Sequence, residues 1–313
     1  MHKLTKGDNI FVMTINQLRI FIKVAEKLNF TDAAEELFMT QPAVSRAISS
    51  LESELGVSLF YRDKKRGIHL TPIGTATVQE FRKVIQLVNK VEEFADEEKG
   101  LKSGKIRIGS FVAASSYFLP QVISYIKSRY PDIKFELKEG TSDQVKKWID
   151  DYQIDVGIVA SPTTDYEHFV LLKDKMVVVL PPNHRLTEKE IVTIEELGNE
   201  ELILCKGGHE AAVNEAFANE HMNLNDGITV QSGETLVKMV NNGLGAGIIS
   251  EFTLATVPHT LPLKTISPAI KRDICLITSS FDDLSISVKY FVDILKKFTE
   301  EQRDEEITSS LKV

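Results

Sequence analysis

Long apolar runs are missing from this chain of 313 residues. A membrane-spanning helix needs roughly 20 consecutive apolar residues, so none is expected, and no membrane partner. The stretch from Met1 to Val12 carries lysines but no apolar core of signal-peptide length. That points to the cytoplasm, with Met13 as an alternative start. Cysteine is scarce: Cys205 and Cys275 stand far apart, without metal-ligand spacing. This excludes a disulfide scaffold and a cysteine zinc site, and the expectation is two buried, reduced thiols. There is no P-loop, no Gly-x-Ser-x-Gly elbow and no His-Glu-x-x-His. An enzyme is therefore not expected, and no catalytic residue, metal or cofactor is assigned. Positive charge is also in deficit, with 37 Lys and Arg against 45 Asp and Glu and a net charge of −8. Such a chain does not coat nucleic acid by charge alone, although one domain can still carry a basic face.

What is present falls into three stretches. From Thr14 to about Gly74, short helical patterns precede a basic turn. From Thr75 to about Glu98 there is one long helical pattern. From Lys105 onward strand-like and helix-like runs alternate, as in Ile106 to Ile108, Lys134 to Leu137 and Val156 to Val159. That alternation favours an α/β domain with a mainly parallel sheet. Gly100 to Gly104 is the expected hinge before it.

In the first stretch, Asn16 to Lys27 reads as a helix. Thr31 reads as the N-cap of a second helix, Asp32 to Phe38, with small Ala33 and Ala34 where helices cross closely. Met39, Thr40 and Gln41 form a turn, and Pro42 opens a third helix, where its missing N–H costs nothing. Val44, Ile48, Leu51 and Leu55 share one face of this helix. Pro42, Ser45, Arg46 and Ser49 share the other. An apolar back with a front of Arg, Ser and Gln suits the major groove, where Arg reads guanine bidentately. Gly56 ends the helix. Arg62, Lys64, Lys65 and Arg66, opposed by Asp63, then form the basic tip of an expected β-hairpin wing able to neutralise phosphates.

Phe30 to Ala34, Thr40 to Arg46, Ile48, Leu51-Glu52, Leu55-Gly56, Leu59-Phe60, Arg62 and Leu70 to Gly74 together resemble, in order and spacing, the signature of LysR-type transcription regulators. The resemblance covers roughly sixty residues. It implies a winged helix-turn-helix over 13–73 that reads an interrupted inverted repeat in double-stranded promoter DNA. The expected DNA-binding residues are Thr31, Thr40, Gln41, Pro42, Ser45, Arg46, Ser49, Arg62, Lys64, Lys65 and Arg66. It also implies a linker helix over 74–99, a homodimer or homotetramer, and contact with RNA polymerase. In that helix Phe81, Val84, Val88, Val91 and Ala95 repeat at heptad spacing, with Leu87 and Phe94 widening the stripe. A small domain cannot cover such a stripe, so a second copy is expected to, and a dimer matches a two-fold DNA site.

In the last stretch, strands deliver small polar residues at their carboxyl ends beside helix starts, where an open α/β sheet binds ligands. The resemblance implies a two-lobed effector domain over 105–302, similar to periplasmic binding proteins. Lobe one covers about 105–174 plus 277–302, and lobe two about 175–276. An exported solute-binding protein shares such lobes but has no winged helix. The expected effector-binding residues are Ser110, Thr141, Ser161, Lys206, His209 and Ser232. Lys206 and His209 are the cations among them, which favours a small anion or acid as co-inducer. Asn242 to Ser250 is read as a helix end turning into a buried strand. It is not a dinucleotide fingerprint, since Ile248 stands where a third spaced Gly is needed. Ser285 to about Gln302 is expected to pack on lobe one. Peroxide-sensing members of the family carry Gly-His-Cys where this chain has Gly208-His209-Glu210, so no disulfide switch is expected.

Overall fold

The computed structural model of the chain describes residues 13–63, 67–98, 103–205, 210–224 and 226–310. Lys64, Lys65, Arg66, Lys206 and His209 lie outside the described residues. The chain divides into two compact units, residues 1–92 and 93–313, with the division inside one helix.

The first unit opens with α1 (Ile15–Lys27), α2 (Phe30–Glu36) and α3 (Gln41–Leu55). Thr14 and Gln17 form a capping box at α1. Helix α2 starts earlier than expected, and Thr31 is not its cap. The Asn29 side-chain oxygen accepts the N–H groups of Thr31 (2.8 Å) and Asp32 (3.4 Å) instead. Phe30 thereby enters the first turn and packs on Phe60 at 6.1 Å between ring centroids. Pro42 sits in the first turn of α3, and Gly56 ends it in the left-handed region at φ 68°. Strands β1 (Phe60–Asp63) and β2 (Gly67–Leu70) pair antiparallel, Phe60 opposite Leu70 and Asp63 opposite Gly67, as the wing reading requires. Phe21 lies against Phe60 and Phe81 at 5.3 and 5.5 Å and fills the core.

Helix α4 (Pro72–Glu98) begins before Gly74 rather than after it. Thr71 caps it by accepting the Gly74 N–H at 3.0 Å, and its hydroxyl donates to the Ser58 carbonyl. Gly74 is a contact glycine rather than a breaker, because a Cβ there would fall 2.1 Å from the Leu59 carbonyl oxygen.

The second unit contains β3 (Gly104–Ser110), α5 (Val112–Arg129), β4 (Ile133–Glu139), α6 (Ser142–Asp150), β5 (Val156–Ala160) and β6 (Glu167–Val179). A 3₁₀ turn (Arg185–Glu188), β7 (Ile191–Thr193), α7 (Ile194–Leu197), β8 (Leu202–Cys205), α8 (Glu210–Asn219), β9 (Asp226–Val230) and α9 (Gly233–Asn241) follow. Then come β10 (Ala246–Ser250), α10 (Glu251–Ala255), β11 (Leu263–Ser267), β12 (Lys271–Thr278) and α11 (Ile286–Ser310). Parallel pairing joins β4, β3 and β5 in one lobe and β10, β8 and β9 in the other. The sheet is mixed rather than mainly parallel, because β6 and β12 run against their neighbours. Strand β6 pairs with β12 from Glu167 to Lys175, then with β10 from Met176 onward, so one strand serves both lobes.

The glycine run behaves as expected. Helix α9 ends at Asn241 and β10 is fully buried. Helix α11 supplies Val288, Phe291, Val292 and Leu295 to the lobe-one core beside Phe118 and Ile126.

Candidate nucleic-acid interface and interlobe cavity

Helix α3 buries Val44, Ile48 and Leu51 in the first unit. Its opposite face leaves Gln41, Pro42, Arg46 and Ser49 exposed and Ser45 half-buried. No side chain caps its N-terminus at Thr40, which is exposed, as is Thr31. First-turn N–H groups at that end are oriented to meet negative charge. Gln17 holds α1 to α3 by donating to Glu54 at 3.0 Å. Arg62 already has intramolecular partners: Glu52 at 3.1 Å and the Phe30 ring at 5.3 Å. Glu52 in turn accepts the N–H groups of Leu59 and Phe60, so this carboxylate fixes where the wing begins. Sequence reading missed Phe38, which is 97% exposed with φ 53° just ahead of α3. An apolar residue at the end of a helical pattern reads as core.

The expected pairing stripe of α4 splits. Phe81 is buried against Phe21 in its own unit and is not available to a second copy. Val88 is half-buried and Ala95 exposed. Val84, Leu87, Val91 and Phe94 are exposed, Leu87 and Val91 by 62% and 64%. Their spacing of three, four and three residues is that of a heptad seam.

In the second unit, a cavity of about 390 Å³ lies between the lobes. Thr141 and Ser232 line it from opposite sides, and both are half-buried helix caps. Thr141 Oγ accepts the Gln144 N–H at 3.3 Å while Gln144 Oε1 accepts the Thr141 N–H at 2.9 Å. Ser232 Oγ accepts the Thr235 N–H at 3.2 Å. Ser110 and Ser161 do not line the cavity. Ser110 is fully buried and its hydroxyl donates to the Phe111 carbonyl at 3.1 Å. Ser161 Oγ accepts the Asp273 N–H at 3.0 Å, locking the end of β5 to β12. Phe111, Val112, Ser116, Glu139, Gln144 and Gln231 line the cavity and were missed. Phe111 and Val112 follow a strand end by one and two residues, where the chain has already turned toward the next helix.

Cys205 borders the cavity too, as a buried thiol. Desolvation, then the charge of Glu210, pushes it up to about 11, with Arg272 opposing. A thiol held protonated in this way is a poor nucleophile. Glu234 shares its charge with Lys238, which holds its carboxyl below the usual range. Among the described residues, no group of three or more His, Cys, Asp and Glu could hold a metal, and no helix is long and apolar enough to cross a membrane.

Residues 15–75 match the family described as bacterial regulatory helix-turn-helix protein, lysR family, and residues 99–300 match LysR substrate binding domain. The chain is 46% identical over 285 residues to the uncharacterized HTH-type transcriptional regulator YoaU of Bacillus subtilis, covering 91% of this chain and 98% of that protein. It is 28% identical over 291 residues to the HTH-type transcriptional activator CmpR of Synechocystis sp., covering 90% and 94%. A full-length OxyR variant from Pseudomonas aeruginosa superposes with a TM-score of 0.71 at 24% identity, covering 92% and 94%. Full-length CbnR complexed with its target DNA gives 0.62 at 20%, covering 91% and 99%. These matches span both the helix-turn-helix and the two-lobed unit, and the chain belongs to the LysR family of DNA-binding transcription regulators, whose activity a small-molecule effector controls.

Proposed function

We propose that this regulator reads a two-fold promoter site as a dimer, or a pair of dimers, and that a small molecule in the interlobe cavity sets its activity. The division of labour is residues 13–73 for DNA, 74–99 for pairing and 105–302 for the effector. The observation that carries this reading is α3, whose buried apolar back leaves a polar front beside an uncapped N-terminus. Gln41, Ser45, Arg46 and Ser49 are the base-reading side chains, and Thr31, Thr40 and Pro42 line the approach to the groove. Arg62, Lys64, Lys65 and Arg66 meet phosphates. Val84, Leu87, Val91 and Phe94 form the pairing seam.

The protein acts by binding, not by catalysis, in the cytoplasm, and it contacts RNA polymerase at the promoter. Thr141, Gln144, Gln231 and Ser232 are the effector-facing polar groups. A small acid is the proposed ligand class. Lys206 and His209 follow Cys205, which borders the cavity, and the charge of Glu234 is compensated by Lys238. The contrast between Cys205 and the peroxide sensors of the family favours reversible binding over thiol oxidation.

The test is selection of duplexes from a randomised pool by the full chain. A two-fold consensus whose base preference is lost in Arg46→Ala, while non-specific affinity stays, supports the reading. Equal weakening on all duplexes reduces Arg46 to a phosphate contact. Absence of any consensus removes sequence recognition altogether.

A further inference from the structure

The place where β6 passes from one lobe to the other is marked by a buried ion pair. Asp174 stands two residues before the change of sheet partner, directly opposite Arg272 of β12. Arg272 Nε donates to Asp174 Oδ2 at 2.8 Å, and both side chains are 1% exposed. The other carboxylate oxygen, Oδ1, accepts the N–H of Lys175 at 2.9 Å and of Phe252, in the first turn of α10, at 3.1 Å. A terminal nitrogen of Arg272 donates to Ser250 Oγ at 2.9 Å, and Ser250 Oγ also accepts the Thr253 N–H at 3.0 Å. One pair of charges thus ties together β12, the crossing strand β6 and the start of α10.

The pair also lies directly behind the cavity wall. The Arg272 guanidinium sits 5.7 Å from the centroid of the Phe111 ring, and that ring meets Phe252 edge-on at 6.4 Å. Phe111 and Thr253 themselves line the cavity. A buried ion pair rarely adds stability over an apolar pair of the same volume, because desolvating two charges offsets their attraction. What it supplies is direction: several hydrogen bonds with fixed geometry admit one arrangement, whereas packed methyl groups slide. Apolar packing would serve a rigid crossing equally well, and the rest of the crossing region is apolar, with Met176, Val177 and Ile274 buried.

We propose that Asp174 and Arg272 pin the angle between the two lobes, and that Phe111 and Thr253 connect this pin to the contents of the cavity. The two residues are positioning residues for the effector response. They need not touch the ligand: a ligand that displaces the Phe111 ring or α10 changes the geometry the pair holds. The inference rests on the two-lobed effector reading, but its test needs no effector, so the two fail separately.

The test measures the distance between spin labels at Lys127→Cys in α5 and Asn214→Cys in α8. It uses the full chain, spin-diluted with unlabelled protein so that each oligomer carries one labelled copy. The native thiols Cys205 and Cys275 are buried. The wild-type background is expected to give one narrow distance distribution. Removing both charges together in Asp174→Leu with Arg272→Met is expected to leave a folded protein whose distribution is roughly doubled in width, or split, as in a released hinge. Ser250→Ala removes one hydroxyl partner of Arg272 and is expected to give a smaller broadening, which keeps the proposal testable where the double variant does not fold. A purely structural role lowers the melting temperature without moving the distances. Folded variants with the wild-type distance distribution overturn the proposal.

Discussion

Arg46 and Arg62 are both exposed arginines of the first unit, but they differ in what they already hold. Arg46 has no acidic partner among the described residues, whereas Arg62 is paired with Glu52 and lies over Phe30. Arg46→Ala is therefore expected to leave thermal stability unchanged and to cost ~1–3 kcal/mol of discrimination at one base pair per half-site. Arg62→Ala is expected to lower the melting temperature slightly and to weaken all duplexes alike. Competition binding against single-base variants of the selected duplex, beside thermal melts, separates the two. Cys205 makes the residue-scale case for a non-redox effector. With its thiol raised to about 11 by burial and by Glu210, its alkylation by iodoacetamide is expected to stay slow through neutral pH and to accelerate only in strong base. Fast modification at pH 7 would reopen the redox reading. The α3 front was legible because helical period assigns each residue to a face. Ser110 and Ser161 were misassigned because a hydroxyl at a strand end reveals polarity but not direction. The first points into the core and the second accepts an N–H from a strand more than a hundred residues away.

At the scale of elements, α4 buries one apolar face in its own unit and leaves a second one exposed. Its early turns pack Val78 and Phe81 into the DNA-binding core, while Val84, Leu87 and Val91 remain outside. Heptad spacing in the sequence sees a single stripe, since it cannot tell which of its members the neighbouring helices cover. Leu87→Asp combined with Val91→Asp is accordingly expected to yield smaller species in sedimentation with the melting temperature preserved. Phe81→Ala is expected to cost about 3–5 kcal/mol of stability with assembly intact below its melting point. Reversal of these phenotypes would move the seam to the other face.

The end of α4 adds a pH-sensitive element. Glu93 is buried, and its carboxylate accepts the Ser287 N–H at 3.2 Å and the Ser287 hydroxyl at 3.1 Å, at the first turn of α11. Gly104 makes room, since a Cβ there would come within 2.6 Å of Ser287 Oγ. Burial pushes the Glu93 carboxyl above its ordinary value of 4.5, the hydrogen bonds from Ser287 and Ser285 oppose this, and Asp155 adds to it. Asp155 is itself held by Arg107. A group whose folded value is raised binds its proton more tightly in the folded state. Its stabilising contribution is complete below 4.5 and is lost as pH rises through the raised value. Glu93→Gln, which still accepts the Ser287 N–H, is expected to flatten this part of the stability–pH profile and to be the more stable form at neutral pH. A profile parallel to wild type would show that Glu93 titrates as it does in water.

For the molecule as a whole, alternating strands and helices led to a mainly parallel sheet, and within each lobe they do pair parallel. What alternation cannot reveal is where the chain returns. Strand β6 pairs antiparallel with β12 in one lobe and with β10 in the other, and no local pattern distinguishes such a crossing strand from a hairpin strand. The cavity inherits this limit. Its walls combine Thr141 with Ser232 and Gln231, residues some ninety positions apart that meet through the crossings. A ligand touching both walls changes the balance between lobe arrangements only by its differential affinity for them, typically ~1–3 kcal/mol of coupling. Thr141 itself is a flawed probe of this coupling, because it caps α6 and its loss costs about 1 kcal/mol of stability whatever the effector does. Val112 is a cleaner one. It opens α5, lines the cavity, is more than half exposed and caps nothing. Val112→Trp should fill the cavity while leaving assembly and effector-free DNA binding at wild-type levels. Native mass spectrometry of protein purified from its host is expected to show a bound small molecule in wild type and none in the variant. A promoter fusion in the host is expected to be locked in its uninduced state. If the variant retains the small molecule and the promoter responds as in wild type, the effector site lies outside this cavity.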